Sequence, residues 1–374
     1  MLQNREEFEM RILYDHQIFS VQKYGGISRY FYEIIKRIAE ENRVLLYEGY
    51  HINNYGLDKL DIFDKKFARK RIEIPFRGLG RLAGYLNAMK LKSFSRKFPV
   101  DIYHPTYYKD LNLNNGKRVV TVYDMIHELF FNDGEFKGDN TIHRKKTLIN
   151  KSSGIIAISE STKNDLIKIY DLNPDKIKVI YLANSLDIEV KKNAILHEPY
   201  ILIVGHGAGY KNFNNFIKAF SVSKFKNDIK CVCFGGGAFS KQEVEVMKKL
   251  SVEDRIIYYQ GSDELLANLY KYAQLFVYPS KYEGFGLPPL EAMHYGTPVL
   301  VSNTSSIPEV VGNAGMYFDP NSVDDMVEKM DCMLNDNILR KEYGQKGIAR
   351  EKIFSWDKCA RETIEFYKEV LEGR

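Results

Sequence analysis

Tyr200–Val204 reads Tyr-Ile-Leu-Ile-Val, five apolar residues with no polar alternation. Such a run suits a strand buried on both faces, as in parallel sheets covered by helices on either side. Short runs of this kind recur along the whole chain. In the first half, strands are expected at Arg11–Tyr14, Val44–Tyr50, Asp101–His104, Val119–Tyr123, Ile155–Ile158 and Lys178–Tyr181. Helices are expected at Ile27–Glu41 and, behind Ser159 as N-cap, to about Tyr170. In the second half, strands at Tyr200–Val204, Lys230–Phe234, Ile256–Gln260, Leu275–Tyr278 and Pro298–Ser302 alternate with helices at Asn214–Ser223, Lys241–Leu250, Asp263–Tyr272 and Pro288–Tyr295. Two such series in tandem imply two doubly wound α/β domains. Asp187–Glu198 is polar and without period, and is expected to link them. Ligands in these folds sit at the carboxyl ends of strands, so two facing domains would share a cleft.

Size and composition agree with two folded domains. A chain of 374 residues, 44% hydrophobic, exceeds what one core usually serves. The cysteines at 231, 233, 332 and 359 are scattered without a C-x-x-C, which suggests a reducing compartment. The residues before Met10 are mostly polar and are expected to be a disordered lead rather than a signal peptide. No apolar run approaches the roughly 20 residues that cross a bilayer, so a cytoplasmic protein is expected. The net charge is only +5, but Asp64–Lys97 holds eleven Lys or Arg against two acidic residues. That is a basic patch and not a basic protein, so no nucleic-acid partner is expected. Phe67, Phe76, Leu79, Leu82, Tyr85, Leu86 and Met89 are interleaved with its charges, a mixture suited to an anionic membrane surface.

The chemistry concentrates in Glu283-Gly-Phe-Gly-Leu-Pro-Pro-Leu-Glu291. An unbroken helix would set its two carboxylates ~12 Å apart at 1.5 Å per residue. Gly284 and Gly286 argue against that, and Pro288 fits the first turn of a helix. Glu283 is then on a loop, Glu291 in the first helical turn, and the amides of Phe285, Gly286 and Leu287 can face an anion. A phosphate with hydroxyls on both sides, as in a nucleotide sugar, has that shape. Lys211, in the turn after Tyr200–Val204, can neutralise phosphate. Gly25-Gly26 marks the corresponding turn of the first half. His127, beyond the strand Val119–Tyr123, would face the cleft, and His104 is a weaker candidate of the same kind. No D-x-D pair is present to hold a metal diphosphate, so protein groups are expected to carry the phosphate charge, with no metal or other cofactor.

In this ordered set the chain resembles glycosyltransferase family 4, whose members are retaining enzymes with the two-domain GT-B fold. The resemblance rests on Gly25-Gly26-Ile27-Ser28-Arg29, Tyr123-Asp124-Met125-Ile126-His127, Gly209-Tyr210-Lys211-Asn212-Phe213, the Glu283–Glu291 stretch, Gly296-Thr297-Pro298-Val299 and Ile307-Pro308-Glu309-Val310. It implies an acceptor-binding domain over 1–188, a nucleotide-sugar-binding domain over 199–352, and a helix in 353–374, starting near Phe354-Ser355-Trp356, that crosses back onto the first domain. It implies that Glu283 binds hydroxyls of the transferred sugar and that Phe285, Gly286 and Leu287 offer backbone donors. Glu291 would hold the ribose and Lys211 the diphosphate. His127 would lie near the transferred sugar, and Gly26 near the phosphates. Relatives often carry an arginine before the Tyr-Lys-Asn element; here Gly205-His206-Gly207-Ala208-Gly209 stands there, leaving His206 as a candidate phosphate contact. The implied reaction moves a sugar, with mannose-type donors a mild expectation, onto a glycan or lipid-linked acceptor in surface polysaccharide or O-antigen synthesis. A transferase using a soluble acceptor and a catalytically degenerate nucleotide-sugar-binding scaffold are the alternatives.

Overall fold

The computed structural model describes residues 10–57, 60, 70–71, 77–113, 115–131, 136, 138–190, 193–207 and 209–373, with side chains of 70–71 and 77–81 left out. The expected lead before Met10, most of the basic patch before residue 82, and Ala208 lie outside the described residues or side chains.

The strands are β1 (Arg11–Tyr14), β2 (Arg43–Leu46), β3 (Tyr50–His51), β4 (Lys70–Arg71), β5 (Ile102–His104), β6 (Lys117–Val122), β7 (Gly154–Ala157) and β8 (Ile177–Val179), then β9 (Tyr200–Val204), β10 (Lys230–Phe234), β11 (Ile256–Tyr259), β12 (Leu275–Tyr278), β13 (Val299–Ser302) and β14 (Gly315–Phe318). They form two six-stranded sheets, β2-β1-β5-β6-β7-β8 and β11-β10-β9-β12-β13-β14. Every pair in both sheets is parallel. The fold is therefore GT-B-like, with two Rossmann-like domains. The strand expected at Val44–Tyr50 stops at Leu46, because the chain turns at Gly49 (φ +55°) before β3 pairs with β4 in a small separate sheet.

The unbroken apolar runs serve two layers at once. Along β9, Tyr200 and Leu202 point into one core while Ile201 and Ile203 point into another. Cys231 and Cys233 share a face of β10, both buried as free thiols. The first of these cores continues from the inner face of the second sheet through the first domain to Phe366, Tyr367 and Val370. Those three residues lie on the last helix, Trp356–Glu372, which packs on the helix Gly26–Glu41 of the first domain.

In each sheet the strand order reverses once, between β1 and β5 and between β9 and β12. A crevice opens at the carboxyl ends of strands where the order reverses. The two segments that leave the second crevice are 205–212 after β9 and 279–286 after β12.

Candidate active site

Lys211 and Glu283 arise from those two neighbouring strands and meet directly. Lys211 Nζ donates to Glu283 Oε1 at 2.7 Å. The ammonium also lies over the rings of Tyr210 and Tyr278, at 5.4 and 5.5 Å. Glu283 is only 9% exposed, so its carboxylate relies on this cation. An entering phosphate would compete with Glu283 for Lys211 and leave the carboxylate free to accept hydroxyls.

The loop that follows is fixed through its backbone. Glu283 N donates to Ser305 Oγ at 2.9 Å, and the Ser306 hydroxyl lies 2.8 Å from the carbonyls of both Glu283 and Phe285. The Phe285 ring is turned away into the core, against Tyr181 and Phe354. Gly286 takes φ +117° as the N-cap of the helix Leu287–His294. Such a conformation is costly for any residue with a Cβ. Gly284 is required for a second reason: a Cβ there would lie 1.7 Å from the carbonyl oxygen of Tyr123. The two domains thus touch backbone to backbone where β6 ends.

Gly26 is the first residue of the helix Gly26–Glu41, and the place its Cβ would take is 3.7 Å from Leu287 Cδ1. Two helix N-termini, one from each domain, therefore face each other across the cleft. Neither is capped by the side chain of its N-cap glycine, and the helix Phe213–Val222 behind Lys211 likewise lacks a side-chain cap. The helices starting at Glu160, Lys241, Asp263, Val323, Asn337 and Trp356, by contrast, are each capped by a serine or aspartate. Uncapped amides and the helix dipole favour a bound anion. On the first-domain side, the Gln22 side chain covers one of these amides, Ser28 N–H, at 3.1 Å.

Glu291, in the second turn of Leu287–His294, accepts from Tyr270 Oη at 3.0 Å. Burial pushes its carboxyl up to about 7, against the pull of Arg29 and the Tyr270 hydroxyl, with Asp263 pushing the same way as burial. Arg29 belongs to the first domain, and its Nη2 reaches Asp263 Oδ2 of the second at 2.8 Å. The Gly25–Arg29 motif contains this residue, but nothing in the sequence points it at Glu291.

His127 lies on the short helix Ile126–Leu129 after β6. Its Nε2 is 3.2 Å from Asp139 Oδ2, and its ring packs on Phe136 at 4.5 Å. Burial pulls the Asp139 carboxyl up, but the N–H and hydroxyl of Thr141 and the His127 ring outweigh it and hold it below its ordinary value. Nδ1 of His127 is buried and has no hydrogen-bond partner among the described residues. Phe130, one turn on, meets Tyr210 and Tyr282 at 5.8 and 6.2 Å, so this helix borders the Lys211–Glu283 pair.

Two further histidines are buried. The His206 side chain is 1% exposed and sits among Phe213, Phe239 and Tyr258, with Nδ1 3.3 Å from Glu243 Oε1. The aromatic residues around the loop give the ring a buried seat, and its Nε2 has no hydrogen-bond partner among the described residues. His104 is fully buried, its Nδ1 2.6 Å from Tyr367 Oη and its Nε2 2.9 Å from Thr121 Oγ1. Among the described residues no three His, Cys, Asp or Glu side chains cluster to hold a metal ion.

Comparisons with known proteins agree with this architecture. Residues 24–187 match the family "Glycosyltransferase Family 4", and residues 186–350 match "Glycosyl transferases group 1". The chain is 29% identical over 375 residues to O-antigen chain mannosyltransferase B of Escherichia coli, covering 92% of this chain and 96% of that protein. Sucrose-phosphate synthase from Thermosynechococcus elongatus superposes with TM-score 0.76 at 18% identity, over 98% of this chain and 100% of the other. Anabaena HepE in complex with UDP-glucose gives TM-score 0.75 at 17% identity, over 96% and 100%. With both domains matched in order and the cleft built from the motifs of that family, the chain belongs to the family 4 glycosyltransferases of GT-B fold.

Proposed function

We propose that this chain transfers a mannose-type sugar from a nucleoside diphosphate to a glycan or lipid-linked acceptor during assembly of a surface polysaccharide. The observation that carries the donor site is the Lys211–Glu283 contact at the strand-order reversal, beside an uncapped helix start. The sugar class is suggested by the likeness to the Escherichia coli O-antigen mannosyltransferase. The nucleotide-sugar class is supported by the likeness to HepE, whose complex contains UDP-glucose.

In this reading Lys211 and the amides of Gly286 and Leu287 take the diphosphate. Glu291 takes the ribose, and Glu283, released from Lys211, takes hydroxyls of the sugar. His127, oriented by Asp139, offers Nδ1 to the same sugar. Transfer proceeds with retention and without a metal. The bond from the anomeric carbon to the leaving phosphate breaks, the acceptor oxygen bonds to that carbon on the same face, and the acceptor proton passes to the departing diphosphate. Fixed positive groups aimed at the leaving charge lower such a barrier by several kcal/mol.

Thermal shift with GDP-mannose and UDP-glucose selects the donor, since a ligand at about 100 times its Kd stabilises by ~2.7 kcal/mol. Release of sugar from that donor is then compared in wild type and Glu283→Ala. We expect the variant to lose release by roughly a hundredfold or more, the scale for one transition-state hydrogen-bond partner. Equal, near-zero release from both proteins, with donor binding intact, would leave a binding scaffold as the better reading.

A lipid-linked acceptor would bring the protein to the cytoplasmic face of a membrane. On the helix Arg77–Lys97, Leu82, Tyr85 and Met89 are exposed at helical spacing, with Lys90, Lys92, Arg96 and Lys97 exposed alongside. Among the described residues no helix is long and apolar enough to cross a membrane. Sedimentation with anionic vesicles at low salt is expected to carry the protein down, and failure to bind removes the membrane part of the proposal.

A further inference from the structure

The peptide unit between Asp124 and Met125 is held from both sides, each time by a different domain. Its carbonyl, Asp124 O, accepts from Lys145 Nζ at 2.9 Å. Its N–H, on Met125, donates to Tyr282 Oη at 3.3 Å. Lys145 comes from the helix Thr141–Asn150 of the first domain, and Tyr282 directly precedes Glu283 in the second. His127 follows Met125 by two residues. One peptide group therefore stands between the segment carrying His127 and the loop carrying Glu283.

Both partners are committed to this task. Lys145 is 1% exposed, with its charge balanced by Glu128 Oε2 at 2.9 Å, itself 4% exposed. The other oxygen of Glu128 accepts from Tyr170 Oη at 2.6 Å, and the ammonium lies 5.4 Å from the centre of the Tyr108 ring. Tyr282 gives its own proton to Asp165 Oδ2 at 2.7 Å, which leaves its oxygen to accept the Met125 N–H. A buried ion pair rarely stabilises a fold more than apolar residues of the same size would. Lys145 and Glu128 are thus poorly explained as stabilising elements, and a positional role accounts for them better.

We propose that Lys145 and Tyr282 are positioning residues for transfer, setting His127 against Glu283 through the Asp124–Met125 peptide. This rests on the assignment of His127 and Glu283 to the transferred sugar. A misplacement of about 1 Å can cost roughly a hundredfold in rate without touching the chemistry. Loss of either grip should therefore reach turnover before it reaches donor affinity.

The test uses the full-length protein and sugar release from whichever of GDP-mannose and UDP-glucose gives the larger thermal shift. Tyr282→Phe keeps the ring and removes the acceptor. We expect kcat to fall roughly ten- to a hundredfold, with KM for donor within about twofold of wild type. Lys145→Met leaves Glu128 buried and unpaired, so its Tm should fall as well. The variant Lys145→Met with Glu128→Gln removes both charges. It should regain much of the Tm while kcat stays low. Tyr282→Phe and Lys145→Met together should lose less than the product of the single losses, since both act on one peptide group. Wild-type turnover in Tyr282→Phe, or turnover that recovers in step with Tm in the charge-free pair, overturns the proposal. His127→Ala is measured beside them. Wild-type turnover there would instead remove the assignment of His127 and, with it, what Lys145 is positioning.

Discussion

Glu291 combines a half-buried carboxylate with a cation borrowed from the other domain. Arg29 reaches across the cleft to Asp263, and its charge draws the Glu291 carboxyl down while burial holds it near 7. The sign of the consequence follows. Below about 7 the folded protein keeps the proton on Glu291, and a protonated carboxyl is the weaker acceptor for two hydroxyls. Donor affinity should therefore tighten several-fold as pH rises from about 6 to 8, given that one pKa unit is worth about 1.4 kcal/mol between protonation states. Calorimetric titration of the donor across that range checks it, and Glu291→Gln should flatten the dependence. A slope that persists in Glu291→Gln assigns the titration elsewhere. At this scale the sequence identifies some residues far better than others. Lys211 and Glu283 are legible because each follows a fully apolar strand, and chain order alone brings them to a carboxyl end. His206 has the same address, but the direction of its ring depends on Phe213, Phe239 and Glu243, which no local pattern aims. Arg29 meets Asp263 across 234 positions of sequence, a separation that periodicity cannot bridge.

Helix starts differ in how their free amides are met. The helix Leu287–His294 beside Glu283 has no side-chain cap, while the helix Glu160–Tyr170 is capped twice. Ser159 accepts from Thr162 N in the usual local way. Glu309, from the second domain, accepts from Glu160 N at 2.8 Å and Ser161 N at 3.0 Å, and from Tyr181 Oη at 3.2 Å. A carboxylate on free amides at a positive helix end contributes about 1–2 kcal/mol. Glu309→Ala should lower stability by about that amount. It should also loosen the domains, seen as faster amide exchange in Glu160–Thr162 with other helix starts unchanged. Unchanged exchange there would mean that Ser159 suffices. Ser159 as a cap is readable from sequence, because the cap and its helix are neighbours. Glu309 is readable only as part of a motif, because its helix lies 149 positions away. The same distinction explains β14, which the sequence reading misses. Gly315–Phe318 begins with glycine and ends before Asp319-Pro320, so it reads as a turn until pairing with β13 makes it an edge strand.

The chain as a whole returns to its beginning. The helix Trp356–Glu372 carries Tyr367, whose hydroxyl meets Tyr14 Oη of β1 at 2.9 Å and His104 Nδ1 of β5 at 2.6 Å. Trp356 Nε1 donates to Ser185 Oγ at 2.8 Å, where the chain leaves the first domain. The first domain is thus completed by the helix Trp356–Glu372, and its core depends on an uncharged His104. Burial draws this imidazole down to about 3. In the unfolded chain the same group binds a proton near its ordinary value of about 6.5. The folded state refuses that proton, so the contribution of His104 is fully present above pH 6.5 and is lost progressively as pH falls toward 3. Most carboxylates are still ionised above pH 5, which leaves 6.5 to 5 as the window for reading the histidine. We expect Tm to fall across that window in wild type. His104→Gln, which cannot gain charge, should start from a lower Tm at pH 8, having lost a ring packed against Phe31 and Tyr367, and should then decline less steeply. If the two slopes match, the acid sensitivity belongs to another group; His16, whose value burial also lowers, is the next to test. A flatter slope in His104→Gln, with the helix Trp356–Glu372 exchanging its amides faster as pH drops in wild type, would tie acid unfolding to the seat of that helix on β1 and β5.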